Sequence, residues 1–427
     1  LLVLLPLPQG YLASNQNRIV YFHEGSMAAV AVSQDDLGNK HLSVNNHYIM
    51  GGTASRFSDH RQTHLPFLLH GNPSKALYLG LGTGITMDAA QYYPNTQVTG
   101  VELIPELIPL LGEFDVQPDS SDWQNPPRLL SADARRFMLA SNEQFDVIIA
   151  EIFHPSRDGA GALYTVEHYQ QMRQKLAPNG LVCQWLPLFQ LDLPTLQIII
   201  KSFLEVFPKA QMHLGHFSLK QPILCLVGKN SDTKISENWL MSKVTHPPLQ
   251  QELIASRLNS DLALLGGFIA DHTALKIFAG DAALNTDNHP HVSYQAPAFV
   301  YDIHQLPSER LIQLLKSLAQ PKPERLTDSP RLASELSQYW QARNLFLQAG
   351  LNVQPYDDAI TIIRKTYPLL MSAVQSSQQF EPAYRALIGL ALQMQGVDKQ
   401  VAVNILEALD EAAPMYSEAR RLKRRIQ

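Results

Sequence analysis

Three acidic residues stand where apolar runs end, and such residues could do chemistry. Glu102 closes the run Val98–Val101, Asp133 follows Arg128–Ser131, and Glu151 follows Asp146–Ala150 with His154 three residues on. In an open parallel sheet, ligands lie beyond the carboxyl ends of the strands. An acid in Glu102's position can accept hydrogen bonds from both hydroxyls of a ribose. Asp133 can accept from the exocyclic amine of an adenine, with Ala134 leaving the base room; it also suits a helix N-cap. Glu151 and His154, three apart at a strand-to-loop junction, offer a base near neutral pH, either imidazole or a carboxylate raised by burial.

These acids need something to face, and Ala76–Thr86, A-L-Y-L-G-L-G-T-G-I-T, supplies it. An apolar strand runs into Gly80, Gly82, Thr83 and Gly84, and a helix-like segment, Ile85–Tyr92, follows. Strand, glycine turn and helix bring backbone N–H groups close to a nucleotide-like ligand. The spacing is G-x-G-x-G rather than the G-x-G-x-x-G of dinucleotide folds. A tight turn needs glycine in any case, so the turn gains its meaning from Glu102, eighteen residues beyond Gly84.

The elements that must position these groups read as α/β: a doubly wound, mostly parallel sheet of seven strands. The strands are Leu77–Leu79, Gln97–Val101, Arg128–Ser131, Asp146–Ala150, Leu181–Leu186, Gln211–Leu214 and Ile223–Val227, alternating with helices. The last two lack a helix between them and should pair antiparallel. Gly112–Pro127 reads as a loop and Pro178-Asn179-Gly180 as a turn. Ahead of the sheet, Arg18–Phe22, Met27–Ser33 and His41–Val44 form a small β cap, broken by Gly51-Gly52-Thr53. Ser58–Leu69 reads as a helix interrupted by Pro66. The chain then divides into a stub and cap at 1–74, a nucleoside-binding unit at 75–230, a helical extension at 231–330 and an all-helical region at 331–427. In the last, Glu381-Pro382-Ala383-Tyr384 and Ala413-Pro414-Met415-Tyr416 echo each other at an offset of thirty-two residues. That offset is near a tetratricopeptide repeat, and an unrelated helical tail fits equally.

Composition sets bounds. Of 427 residues, 45% are apolar and 17% charged, which fits a globular protein with a sizeable core. A net charge of −5 gives no general affinity for nucleic acid. Cys183 and Cys225 sit in apolar runs with no metal or disulfide pattern, so they read as buried thiols in a reducing compartment. The opening L-L-V-L-L-P-L-P is too short to cross a bilayer, which takes roughly twenty residues, and it lacks a basic flank. It reads as the cut end of something longer.

With these residues in place the chain resembles the polyamine aminopropyltransferases, the spermidine synthase family, and within it the bacterial proteins whose domain follows a multi-pass membrane segment. The carriers are V-N-N-H-Y-I-M-G-G-T at 44–53, the glycine turn, V-E-L-I-P-E-L at 101–107, F-D-V-I-I-A-E at 145–151, L-Y-T-V-E-H-Y at 163–169, L-A-P-N-G at 176–180, C-Q-W-L-P-L at 183–188 and N-T-D-N-H-P at 285–290. The resemblance implies the nucleoside-binding sheet shared with class I methyltransferases. It also implies transfer of an aminopropyl group from decarboxylated S-adenosylmethionine to an amine. Glu102 would bind the ribose and Asp133 the adenine. Gly80, Gly82, Thr83 and Gly84 would bind the methionine-derived tail. Glu151, assisted by His154, would serve as base, and His64, Tyr164 and Glu151 would contact the amine.

Two departures bear on this. The family's D-x-x-D-P is Glu151-Ile152-Phe153-His154-Pro155 here, and Thr83 stands where the family's glycine turn carries an aspartate. The competing readings are a methyltransferase using S-adenosylmethionine, and a catalytically weak nucleoside-binding or scaffold module whose C-terminal helices recruit a protein partner. A homodimer is left open. No metal is expected. The location implied is cytoplasmic, including the cytoplasmic part of a membrane-anchored protein.

Overall fold

The computed structural model describes residues 17–45, 48–229, 234–300 and 305–427. The opening apolar run, and the expectation attached to it, lie outside the described residues. Four strands, β1 (Arg18–Glu24), β2 (Ala29–Gln34), β3 (Lys40–Val44) and β4 (Tyr48–Gly52), form an antiparallel meander. The last of them includes Gly51 and Gly52, which had read as the break. Helix α1 (Arg56–His70) follows and runs straight through Pro66. Proline removes one ladder hydrogen bond. The carbonyl this frees, on Gln62, accepts instead from the Trp185 indole at 3.2 Å.

The main sheet comprises β5 (Lys75–Leu79), β6 (Gln97–Glu102), β7 (Arg128–Ser131), β8 (Phe145–Ala150), β9 (Leu176–Pro187), β10 (Gln211–Leu214), β11 (Ile223–Lys229) and β12 (Phe268–Ala270). Their order is β12-β10-β11-β9-β8-β5-β6-β7, parallel from β9 to β7 and antiparallel elsewhere. Among the described residues the sheet thus has eight strands, not seven. The eighth is three residues long and lies inside a segment that reads as helical, too short to show alternation. The antiparallel β10–β11 pair is as expected. Pro178-Asn179-Gly180 does not precede its strand but bulges within it: Phe145 pairs with Leu176 and Val147 with Leu181, and Asn179 takes φ +65°.

Helices α2 (Ile85–Asp88), α3 (Ala134–Ala140), α4 (Val166–Gln174) and α5 (Leu193–Val206) connect the strands, and Pro105–Phe114 forms a 3-10 helix inside what had read partly as loop. After β11 come α6 (Trp239–Lys243), α7 (Pro247–Ala255), α8 (Asp261–Leu265), α9 (His272–Ala279), α10 (His291–Val300) and α11 (Pro307–Ser317). The chain ends in α12 (Pro330–Leu351), α13 (Ala359–Ser376), α14 (Glu381–Met394), α15 (Lys399–Ala412) and α16 (Glu418–Ile426). The two echoing phrases open α14 and lead into α16, and they meet: the Tyr384 and Tyr416 rings lie 4.4 Å apart, and the Ala419 amide donates to the Tyr384 hydroxyl. Helix α12 is docked on the sheet edge by Arg343, whose guanidinium donates to the Gly266 and Phe268 carbonyls.

One expectation is overturned in the core. Cys183 and Cys225 are not separate thiols; they are joined by a disulfide with Cα atoms 6.0 Å apart. Cys225 faces Trp185 and Val227 faces Cys183 across the β9–β11 ladder, so the two cysteines occupy diagonal positions. They are 42 residues apart in the chain, and only the antiparallel return of β11 brings them together. Among the described residues, no helix is long and apolar enough to cross a membrane.

Candidate active site

The order of the sheet reverses between β5 and β8: the chain passes from β5 to β6 and β7 on one side, then returns to β8 on the other. Such a reversal opens a crevice at the strand ends. A cavity of about 1330 Å³ occupies it. The glycine turn forms its floor. Gly80 and Gly84 have φ of +84° and +75°, and a Cβ on Gly84 would come within 2.6 Å of Leu111. The turn therefore needs glycine on both conformational and steric grounds. Gly80 and Gly82 line the cavity and Thr83 stands among them, whereas Gly84 is turned away from it. The β cap closes over this turn, with the Met50 carbonyl 3.7 Å from where a Gly82 Cβ would be.

Glu102 is only 4% exposed yet borders the cavity. One carboxylate oxygen accepts from the Leu81 and Gly82 amides at 2.8 and 3.1 Å, and the other from Ile104 at 2.9 Å. Three amides aimed at one carboxylate fix the turn to the end of β6. Asp133 also lines the cavity and caps α3, accepting from the Arg136 amide at 2.9 Å. Behind it, Arg135 pairs with Asp287 at 2.6 Å, which ties the N-T-D-N-H-P segment to this rim.

Glu151 lies on the opposite wall. Burial, then the negative charge of Asp59, push its carboxyl up to about 8, and the Thr86 hydroxyl donates to it at 3.4 Å. His154 lines the same wall; burial and then Arg157 lower it to about 4, so its imidazole is neutral at physiological pH. Two expected residues are not among those lining the cavity. His64 is fully buried and turns to Tyr93 and Glu252 at 2.9 and 3.3 Å. Tyr164 is fully buried, and its hydroxyl donates to the Phe153 carbonyl at 2.7 Å, which pins the loop after Glu151. Neither position was decidable from the sequence, because both follow from which face of a helical turn meets the core.

Asp59 escaped the sequence reading. It faces the cavity from α1, is pushed up to about 6 by burial, and accepts from Ser55 at 2.7 Å and Ser58 at 3.3 Å. A signal existed: S-R-F-S-D sets a serine four residues before the acid, within reach once the segment is helical. The far wall escaped too. Tyr339 of α12, Glu381 of α14, and Met415 and Tyr416 before α16 line the same cavity as the glycine turn.

A glycine turn and a strand-end acid at the reversal of a mostly parallel sheet stand where open α/β sheets bind their ligands. Residues 58–216 match the spermine/spermidine synthase domain. Its curated relatives include polyamine aminopropyltransferases. That of Sulfolobus acidocaldarius is 30% identical over 173 residues, which is 37% of this chain and 54% of the relative. That of Nitrosomonas europaea is 25% identical over 253 residues, 53% of this chain and 77% of the relative. The Oceanobacillus iheyensis protein is 27% identical over 176 residues, 39% of this chain. The chain spans about a third of the Oceanobacillus protein's length (33%) and about half of the Sulfolobus protein's. Among solved structures, a probable spermidine synthase from Corynebacterium glutamicum is similar at a TM-score of 0.46 and 19% identity, over 62% of this chain and 96% of that one.

Proposed function

We propose that this protein is an aminopropyltransferase of the polyamine type, taking decarboxylated S-adenosylmethionine as donor and an amine as acceptor. The observation that carries the reading is one cavity bordered by the glycine turn, Glu102, Asp133 and Glu151, within a stretch that matches the spermine/spermidine synthase domain. Glu102 and Asp133 hold the ribose and adenine of the donor, and Gly80, Gly82 and Thr83 hold its tail. The acceptor nitrogen attacks the donor's methylene next to the sulfonium. The carbon–sulfur bond breaks, its electrons stay on sulfur, and methylthioadenosine leaves as a neutral thioether. The acceptor must arrive with a free lone pair, and its proton passes to the Glu151 carboxylate. A carboxyl poised at about 8 is well matched to that task.

Here the family's second acid is His154, and Asp59 supplies the missing carboxylate from α1. Two acids in one low-dielectric wall repel each other, and a cationic amine between them relieves that repulsion. His154, held neutral, positions the acceptor without adding a positive charge. Beyond Asp59 the wall is built by the C-terminal helices, so Tyr339 and Tyr416 shape the acceptor end rather than the donor end. Within this reading the C-terminal region needs no protein partner to have a use.

Methyl transfer from S-adenosylmethionine is the second reading, and Thr83 favours it, since the turn brings no carboxylate to meet an ammonium tail. Calorimetric titration with S-adenosylmethionine, its decarboxylated form and methylthioadenosine, in wild type and Glu102→Ala, separates the two. Preference for the decarboxylated donor, lost in Glu102→Ala, is the expected result. Preference for the carboxylated donor overturns the assignment in favour of methylation, and no binding removes both.

A further inference from the structure

Away from the cavity, α1 presents a second face to a different cluster. His60 and His64, one turn apart, both point at Glu252 of α7, and these three residues offer donor atoms within 4.8 Å of one another. We propose that His60, His64 and Glu252 bind a divalent transition-metal ion of the zinc type, which clamps α7 onto α1.

The geometry is close to what such an ion requires. Zinc takes nitrogen and oxygen ligands at about 2.0–2.1 Å in tetrahedral array, which puts neighbouring ligand atoms about 3.3 Å apart. Glu252 Oε1 lies 2.8 Å from His60 Nδ1 and 3.3 Å from His64 Nε2. Histidines four apart on one helical face are a recurrent way to hold zinc.

The groups behind the ligands also fit. A metal-bound imidazole keeps its proton on the far nitrogen and needs an acceptor there. The far nitrogen of His64, Nδ1, has the Tyr93 hydroxyl at 2.9 Å. The far nitrogen of His60, Nε2, now has the Arg56 guanidinium, a donor, at 3.5 Å and the Asp88 carboxylate at 3.9 Å, so on metal binding Arg56 turns wholly to Asp88, 3.3 Å away, and Asp88 closes on Nε2–H as its acceptor. Glu252 supplies one negative charge to the ion directly, while the Asp88 charge is shared with Arg56. Burial supports the same view: His60 is 5% exposed and His64 not at all, so the ion would sit in a medium where charge–ligand attraction is strong. The Ser256 hydroxyl, which donates to Glu252 Oε1 at 2.8 Å, brings a further oxygen to this cluster and would complete the set. None of His60, His64 and Glu252 lines the cavity, so the ion would bind the fold together rather than touch the reaction.

The test is metal content. The untagged full chain, saturated with zinc and dialysed, is expected to retain about one ion by elemental analysis. Cobalt in its place should give the visible bands of a low-coordinate site. Chelation should lower Tm by several degrees, and zinc should restore it. His60→Gln and Glu252→Gln, checked for folding by circular dichroism, should each lose the ion. A wild type that retains no zinc and leaves cobalt spectroscopically silent overturns the proposal. So does a folded Glu252→Gln that keeps the ion and its spectrum. If the variants fail to fold, the wild-type zinc and cobalt measurements decide alone.

Discussion

On the proposed reading the cavity has a donor end and an acceptor end, and the two are built on different principles. The donor end is local: Gly80 to Thr83 and Glu102 come from adjacent parallel strands, and Glu102 is bonded straight to the turn's amides. The acceptor end is assembled from distant parts: Asp59 from α1, Glu151 after β8, and Tyr339, Glu381 and Tyr416 from the C-terminal helices. A site made by neighbouring strands is fixed by backbone geometry and tolerates little change. A site made by packing five separated segments can be reshaped by altering any one of them. The difference teaches that, on this reading, the acceptor end can vary while the donor end stays fixed.

Four substitutions sharpen or break this contrast. The largest effect is expected for Glu151→Gln, which keeps the shape but cannot take the proton. Turnover should fall by about 10³-fold while donor affinity stays within a few-fold, and unchanged turnover would remove Glu151 from the chemistry. The same variant reports on stability. In the folded protein the Glu151 carboxyl is held to about 8 against an ordinary 4.5, so the folded state keeps a proton that the unfolded chain releases between those values. Stability should therefore decline as pH rises through that window, and Glu151→Gln should flatten the decline; a denaturant titration at pH 5 and pH 8 checks the sign.

Glu102→Ala should come next. It leaves three amides, that of Leu81 buried and those of Gly82 and Ile104 part-buried, without their acceptor and should cost about 3 kcal/mol of stability, with methylthioadenosine binding lowered beyond measurement by calorimetry. A stable variant that binds normally would mean the two ends are not built differently after all. Asp59→Asn should raise acceptor KM about tenfold and leave donor affinity alone. Because the Asp59 charge helps to raise Glu151, the alkaline rise in turnover should also move to lower pH; a profile that stays put, or moves up, would separate the two acids. The smallest effect is expected for Tyr416→Ala. Acceptor KM should shift a few-fold and acceptor preference should widen, with methylthioadenosine affinity unchanged. A loss of donor affinity instead would erase the boundary between the two ends.

The sequence alone determined the donor end. Its evidence is periodic and close in the chain: an apolar run, glycines in the turn, and an acid at the end of the next run. Each strand of the parallel core announces itself the same way, and four of the sheet's contacts follow from simple succession. The tertiary structure decided what depends on which side of an element faces what. It turned His64 and Tyr164 into the core, made Asp59 a wall of the cavity, brought Cys183 to Cys225 and added β12 at the sheet edge. It also carried α12 and α14 back over a site whose glycine turn lies roughly 260 to 300 residues earlier. Local pattern records backbone conformation, whereas such meetings depend on packing summed over the whole chain, which no short window contains.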